Sequence, residues 1–96
     1  MEHLIANMKD GAWCGFKYFA FDGSESEITV TVRGSAMGML KVYNEREQAP
    51  VAEIRVTASQ DYTAFSSTFS VSAGTQPLFF VFEGSGAMDF ACFEIV

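Results

Sequence analysis

Short stretches rich in Val, Ile, Phe, Tyr and Thr recur roughly every 10 to 15 residues along this chain, with polar or Gly-containing breaks between them and almost no helical periodicity. That spacing predicts an all-β sandwich or barrel. The first stretch, Trp13 to Phe21, ends at Asp22-Gly23-Ser24, where the Gly can take the positive φ of a tight turn. Ile28, Val30 and Val32 alternate with Thr29, Thr31 and Arg33, the in/out pattern of a half-buried strand. Gly34 to Gly38 separates it from a strand at Met39 to Tyr43. Asn44 to Pro50 reads as a hydrophilic loop whose Glu45, Arg46 and Glu47 are solvated, and Ile54 and Val56 mark the next strand. Ser59 to Tyr62 reads as a break, Thr63 to Val71 as a Ser/Thr-rich strand of edge character, and Ser72 to Pro77 as a loop. Leu78 to Phe82 is an almost continuous apolar run, the pattern of a strand covered on both faces. Glu83 to Gly86 turns the chain and Met88 to Ile95 closes the domain. The expectation is a loose sandwich of about seven strands, with no linker, repeat or low-complexity segment.

Its interior is aromatic. Ten Phe, three Tyr and one Trp among 96 residues suffice for one core, because a chain of this size buries roughly 60 to 65% of its unfolded surface. Six Lys plus Arg are spread among twelve Asp plus Glu, a net charge of −6, so no basic stripe exists to neutralise phosphates and nucleic acid is a poor partner. No apolar run approaches the ~20 residues of a membrane span, and Met1 to Asp10 has neither the basic start nor the apolar stretch of a secretory signal. Cys14 and Cys92 lack metal-ligand spacing and read as small buried hydrophobes. A single bridge between them requires that their strands lie side by side.

Acid–base catalysis needs convergent titratable groups, and the single His, His3, falls in what reads as a frayed end. The chain has no G-x-S-x-G elbow, no phosphate-cradling Gly-rich loop and no H-E-x-x-H. Asp10, Asp22, Asp61, Glu83 and Asp89 sit near strand ends, but so small a sandwich seldom supplies the water-excluding cleft that a glycosidase carboxylate pair wants. They read as surface carboxylates on turns.

The order of strands and turns resembles family 6 carbohydrate-binding modules. Lys9 to Phe16, followed by Phe21-Asp22-Gly23, is similar to the family's G-D-W/Y strand and D-F-G turn, and Ile28 to Gly34 to the next strand. Gly38-Met39-Leu40-Lys41-Val42-Tyr43 looks like G-x-L/I-E-V-R, and Asp61-Tyr62-Thr63-Ala64-Phe65 like D/G-W-T-x-F/W. Gly74 through Leu78-Phe79-Phe80-Val81-Phe82-Glu83-Gly84 resembles G-x-H-x-L-Y-L-V-F-x-G, and Met88-Asp89-Phe90 with Phe93 the closing I-D-W-F-x-F. The resemblance covers nearly the whole chain and is strongest to the version at the C-terminus of family 43 glycoside hydrolases, which act on xylan and arabinan side chains.

It implies a jelly-roll-like β-sandwich of two antiparallel sheets, here lacking the family's usual first strand and cut from a longer glycosidase. The implied function is non-catalytic binding of a polysaccharide or oligosaccharide, on behalf of the parent enzyme's catalytic domain. An extracellular or periplasmic location follows if that parent is secreted. In such modules two rings sandwich a pyranose at the loop end and an Asn holds its hydroxyls. One ring position falls on Tyr62, beside Asp61, the other on Asn7, which has no ring, and the Asn on Ala87. A second family site on a hollow sheet face uses strand aromatics, for which Trp13, Tyr18 or Tyr43 could substitute. The family's structural calcium falls on Asp89, a single carboxylate where calcium wants six or more oxygen ligands. An absent first strand implies an open sheet edge, through which two copies could associate. The competing reading is a structural sandwich that buttresses a catalytic domain without binding sugar.

Overall fold

Alternation along one strand sets the architecture. Ile28, Val30 and Val32 are buried while Thr29, Thr31 and Arg33 turn outward, so the strand they form has one dry face and one wet face. A computed structural model describes residues 2–44 and 49–96, without the side chains of residues 2–7, 17 and 18. Its strands are β1 (Glu2–Met8), β2 (Trp13–Phe21), β3 (Glu27–Gly34), β4 (Met37–Tyr43), β5 (Ala52–Val56), β6 (Ser59–Thr68), β7 (Gly74–Ser85) and β8 (Met88–Ile95). They pair antiparallel into a first sheet, β1-β8-β3-β6, and a second, β2-β7-β4-β5. The expected all-β, two-sheet sandwich is what the chain forms.

Between the sheets lies the aromatic core. Phe80, Phe82 and Phe90 are fully buried, and Phe16 meets Phe80 edge to face, ring centroids 5.6 Å apart at 88°. Each such ring contributes about 1.5–3 kcal/mol from burial alone. Two polar side chains among the described residues, Asn44 and Gln76, are buried with them. Gln76 Oε1 accepts from Asn44 Nδ2, and its Nε2 donates to the carbonyl of Ser72, which pins the start of β7 to the end of β4.

The structure corrects several sequence expectations. Glu2 to Met8 is a strand rather than a frayed end, because its backbone finds β8 to pair with, so the described residues form eight strands where about seven were expected. Ser59 to Tyr62 belongs to β6, which stops at Thr68. Phe69 and Val71, read as the end of that strand, are buried after it, and the Phe69 N–H donates to the Ser26 carbonyl. β7 begins at Gly74, inside the expected loop, and is covered on one face only. Leu78, Phe80 and Phe82 point inward, whereas Phe79 and Val81 stay half exposed because nothing packs on the outside of that sheet among the described residues. Cys14 and Cys92 lie in opposite sheets and both are free, so their strands are not neighbours. The turn at Asp22 is as expected: Asp22 Oδ1 accepts from the Ser24 N–H and hydroxyl. Glu45, Arg46 and Glu47 lie outside the described residues.

The topology gathers four connections at one end of the sandwich: β1–β2, β3–β4, β5–β6 and β7–β8. Each crosses from one sheet to the other, so this mouth is where side chains from both layers come together.

Candidate functional site

Two aromatic surfaces flank the mouth, and they face opposite ways. Trp13 opens β2. Because Cys14 and Phe16 point into the core, Trp13 and Gly15 must point away from it, onto the outer face of the second sheet. There Trp13 is 68% exposed, the most accessible ring among the described residues. Phe79, directly opposite Gly15, brings its ring centroid to 6.4 Å from that of Trp13. Gly15 is what allows this. A Cβ there would stand 3.0 Å from Phe79 Cδ1, a contact tight enough that the ring would have to give way by a few tenths of an ångström. Tyr43 pairs with Phe79 from β4 and is half exposed. Beyond them Lys41 Nζ holds Glu83 Oε1 at 3.0 Å. Asp10 Oδ1 accepts the Gly84 N–H at 3.0 Å, fastening the loop that carries the chain into Trp13.

Tyr62 is on the outer face of the first sheet. Val32 pairs with Thr63 and Gly34 with Ser59, so Gln60, Asp61 and Tyr62 stand opposite Arg33 alone. Such a bulge re-aims a side chain. Here it brings the Tyr62 ring under the Arg33 guanidinium, Cζ 4.6 Å from the centroid. Arg33 Nε in turn donates to Asp89 Oδ2 at 3.4 Å, across the β3–β8 pair. Tyr62 is 39% exposed, with one neighbour already stacked upon it. Asp61 is exposed, and its carbonyl accepts from Thr63 Oγ1. A hollow of 250 Å³ beside this group is lined by Arg33, Gly34, Ser35, Ala87, Met88 and Asp89. A second of 330 Å³ shares Gly34 and Ser35 and reaches Ala58, Ser59 and Gln60.

Of the residues the sequence singled out, Tyr62 and Asp61 are adjacent at the mouth with Asp89 close by, while Trp13 lies on the opposite sheet. The two rings therefore cannot clasp one ligand. Asn7 is in β1 and Tyr18 in β2, but their side chains lie outside the described residues. Sequence reasoning passed over Arg33 and Phe79. Arg33 had a visible signal, being the one basic residue in the outward row of Glu27, Thr29, Thr31 and Arg33. Phe79 had none, since an apolar run does not say which of its faces stays open.

Among the described residues no three His, Cys, Asp or Glu side chains converge at Asp89, whose carboxylate engages Arg33.

Comparison with known proteins places the fold. No family model matches the sequence. A β-1,3-glucan-binding family 6 carbohydrate-binding module from Bacillus halodurans superposes with a TM-score of 0.83 at 18% identity, over 98% of this chain and 84% of that one. The chain has the fold of a family 6 carbohydrate-binding module. A family 43 arabinoxylan arabinofuranohydrolase from Bacillus subtilis, solved with cellotetraose, contains the same module fold at a TM-score of 0.84 and 18% identity, over 97% of this chain and 21% of that one. In sequence, the chain is 35% identical over 91 residues to a xylosidase/arabinosidase from Thermoclostridium stercorarium. That match covers 95% of this chain and 19% of the relative, so the module fold spans about a fifth of the length of the curated protein it resembles.

Proposed function

We propose that this chain is a non-catalytic carbohydrate-binding module serving a plant-polysaccharide-degrading glycoside hydrolase, and that it holds its ligand on the outer face of the second sheet, against Trp13. The observation that carries this is Trp13 itself: 68% exposed, seated over a strand whose Gly15 leaves its path clear. A large ring left in water forgoes its burial energy, and a pyranose offers the matching surface, a face of C–H bonds with partial positive charge against the negative face of the indole. Lys41, Glu83 and Tyr43 on the neighbouring strands supply donors and acceptors for the hydroxyls at the rim. The glycosidase setting draws on the relatedness to the xylosidase/arabinosidase, and the ligand class on the sugars bound by proteins of this fold.

Affinity electrophoresis on xylan, arabinan and β-1,3-glucan tests the reading. Retardation on at least one, lost in Trp13→Ala with the fold intact, is the expected result. A folded wild type that migrates freely through all three supports the alternative, a sandwich that buttresses a catalytic domain. The stacking of Arg33 on Tyr62, together with Ala87 where a side-chain amide could have held a hydroxyl, favours that alternative for the loop end.

A further inference from the structure

One stretch of β8 keeps an open edge. Val96 N–H donates to the Glu27 carbonyl and Glu27 N–H to the Val96 carbonyl, so Glu94 and Val96 turn their backbone groups towards β3 while Phe93 and Ile95 turn theirs the other way. β1 lies on that other side, but its pairing with β8 reaches only to Glu2 opposite Cys92. Among the described residues nothing pairs with the Ile95 N–H and C=O. We propose that this edge, from Phe93 to Ile95, takes an added β-strand from another polypeptide, one whose residues alternate apolar with basic. The edge lies at the end of the sandwich away from the mouth and from Trp13, so its occupancy is independent of the sugar reading.

A groove of 480 Å³ runs beside the edge, between the end of β2 and the end of β8. Its floor is aromatic: Phe19 meets Phe93 edge to face, ring centroids 5.7 Å apart at 81°. Phe19 and Ile95 pack against the core yet are only half-buried, so apolar side chains on one face of an added strand would cover core surface that is now wet. Side chains on its other face would stand beside Glu94, which is exposed on the outer face of the first sheet. Glu25 closes the rim, its two carboxylate oxygens accepting the N–H groups of Asp22 and Gly23. Among the described side chains no Lys or Arg lines the groove.

Charge selects the occupant. Opposite charges on paired strands attract and like charges repel, so a second copy of this chain, with its net charge of −6, would bring carboxylates against Glu94 and Glu25, whereas Lys or Arg on the added strand meets both favourably. Cys92 to Val96 also contains neither the Pro nor the Lys with which sheets commonly blunt an exposed edge. In strand addition the backbone bonds supply affinity and the alternating side chains supply selectivity, and both sets of contacts are prepared here.

The probe is a synthetic end-blocked hexapeptide alternating Val and Lys, with Val–Glu and Ser–Lys hexapeptides as controls, followed by fluorescence anisotropy and amide hydrogen exchange. The Val–Lys peptide is expected to bind and to slow exchange at the Ile95 amide, and both controls should bind at least about tenfold more weakly. Ile95→Pro removes the outward N–H but no bond to β3, and should weaken the Val–Lys peptide at least about tenfold. Thermal melts check that this variant folds. Glu94→Lys, at an exposed position, should weaken the Val–Lys peptide by a similar factor and let the Val–Glu peptide bind. The proposal is overturned if the Val–Lys peptide does not bind, if the Ser–Lys peptide binds as well, or if Glu94→Lys or a folded Ile95→Pro changes nothing. It is equally overturned if the Ile95 amide is already protected in the free monomer, or if sedimentation shows a dimer in which that amide is protected, since the edge is then covered by this chain itself or by a second copy.

Discussion

The guanidinium of Arg33 stacks on the ring of Tyr62, Cζ 4.6 Å from its centroid, and the same group is tethered to Asp89. The mouth of this sandwich therefore carries a polar, self-organised cluster where an open pair of rings would have made a sugar clasp. The most exposed ring among the described residues is on the other sheet, at Trp13.

Trp13→Ala should reduce polysaccharide retention about tenfold or more, as loss of a central aromatic anchor does. Because the side chain is 68% exposed, the same substitution should shift unfolding free energy by no more than about 0.5 kcal/mol. Urea denaturation alongside affinity gels separates the two effects. A large stability loss would mean that the ring is structural.

Gly34→Ala should be severely destabilising. Gly34 has φ +132°, a region that side chains avoid, and an added Cβ would run into the Ala87 carbonyl and approach Met88 Cα to 3.0 Å. Backbone strain of about 1–3 kcal/mol is expected before the clash is counted. A denaturation midpoint equal to that of the wild type would contradict the geometry at the mouth.

Gln76→Leu should cost about 1–3 kcal/mol despite its apolar replacement, since the Ser72 carbonyl loses its donor and Asn44 Nδ2 its acceptor in a buried setting. The loss is read as a fall in the urea midpoint at constant slope.

Burial pushes the Cys14 thiol from 9.0 up to about 11, an effect partly offset by its hydrogen bond with the Phe80 backbone. A raised folded value means that stability is complete below about pH 9 and falls as the pH climbs from 9 towards about 11, where the unfolded chain gains by ionising first. Cys14→Ala should flatten that part of the stability–pH curve. Alkylation of the native protein at Cys14 should stay slow until the same range.

Calcium and EDTA should each leave the melting temperature unchanged, because no carboxylate set among the described residues surrounds Asp89. A rise of several degrees on adding calcium would show that ligands outside those residues complete a site.

Much of the fold was legible because strand alternation is a local property. Ile28, Val30 and Val32 declared their inward face in the order of residues alone, and Asp22-Gly23-Ser24 declared its turn. β1 was not legible, since Glu2 to Met8 is a strand only by virtue of its pairing with β8, some eighty residues away. Nor was the openness of β7, where the run from Leu78 to Phe82 has the same composition whether one face or both are covered.

The candidate site divides in the same way. Residue order alone determined that the chain would be an aromatic-cored β-sandwich, because side-chain period and composition act within a few residues. Only the tertiary structure decided that Trp13 faces water while Tyr62 is stacked under Arg33. Which sheet a strand joins, and what its neighbour in that sheet carries, are set by pairing between segments far apart in the chain.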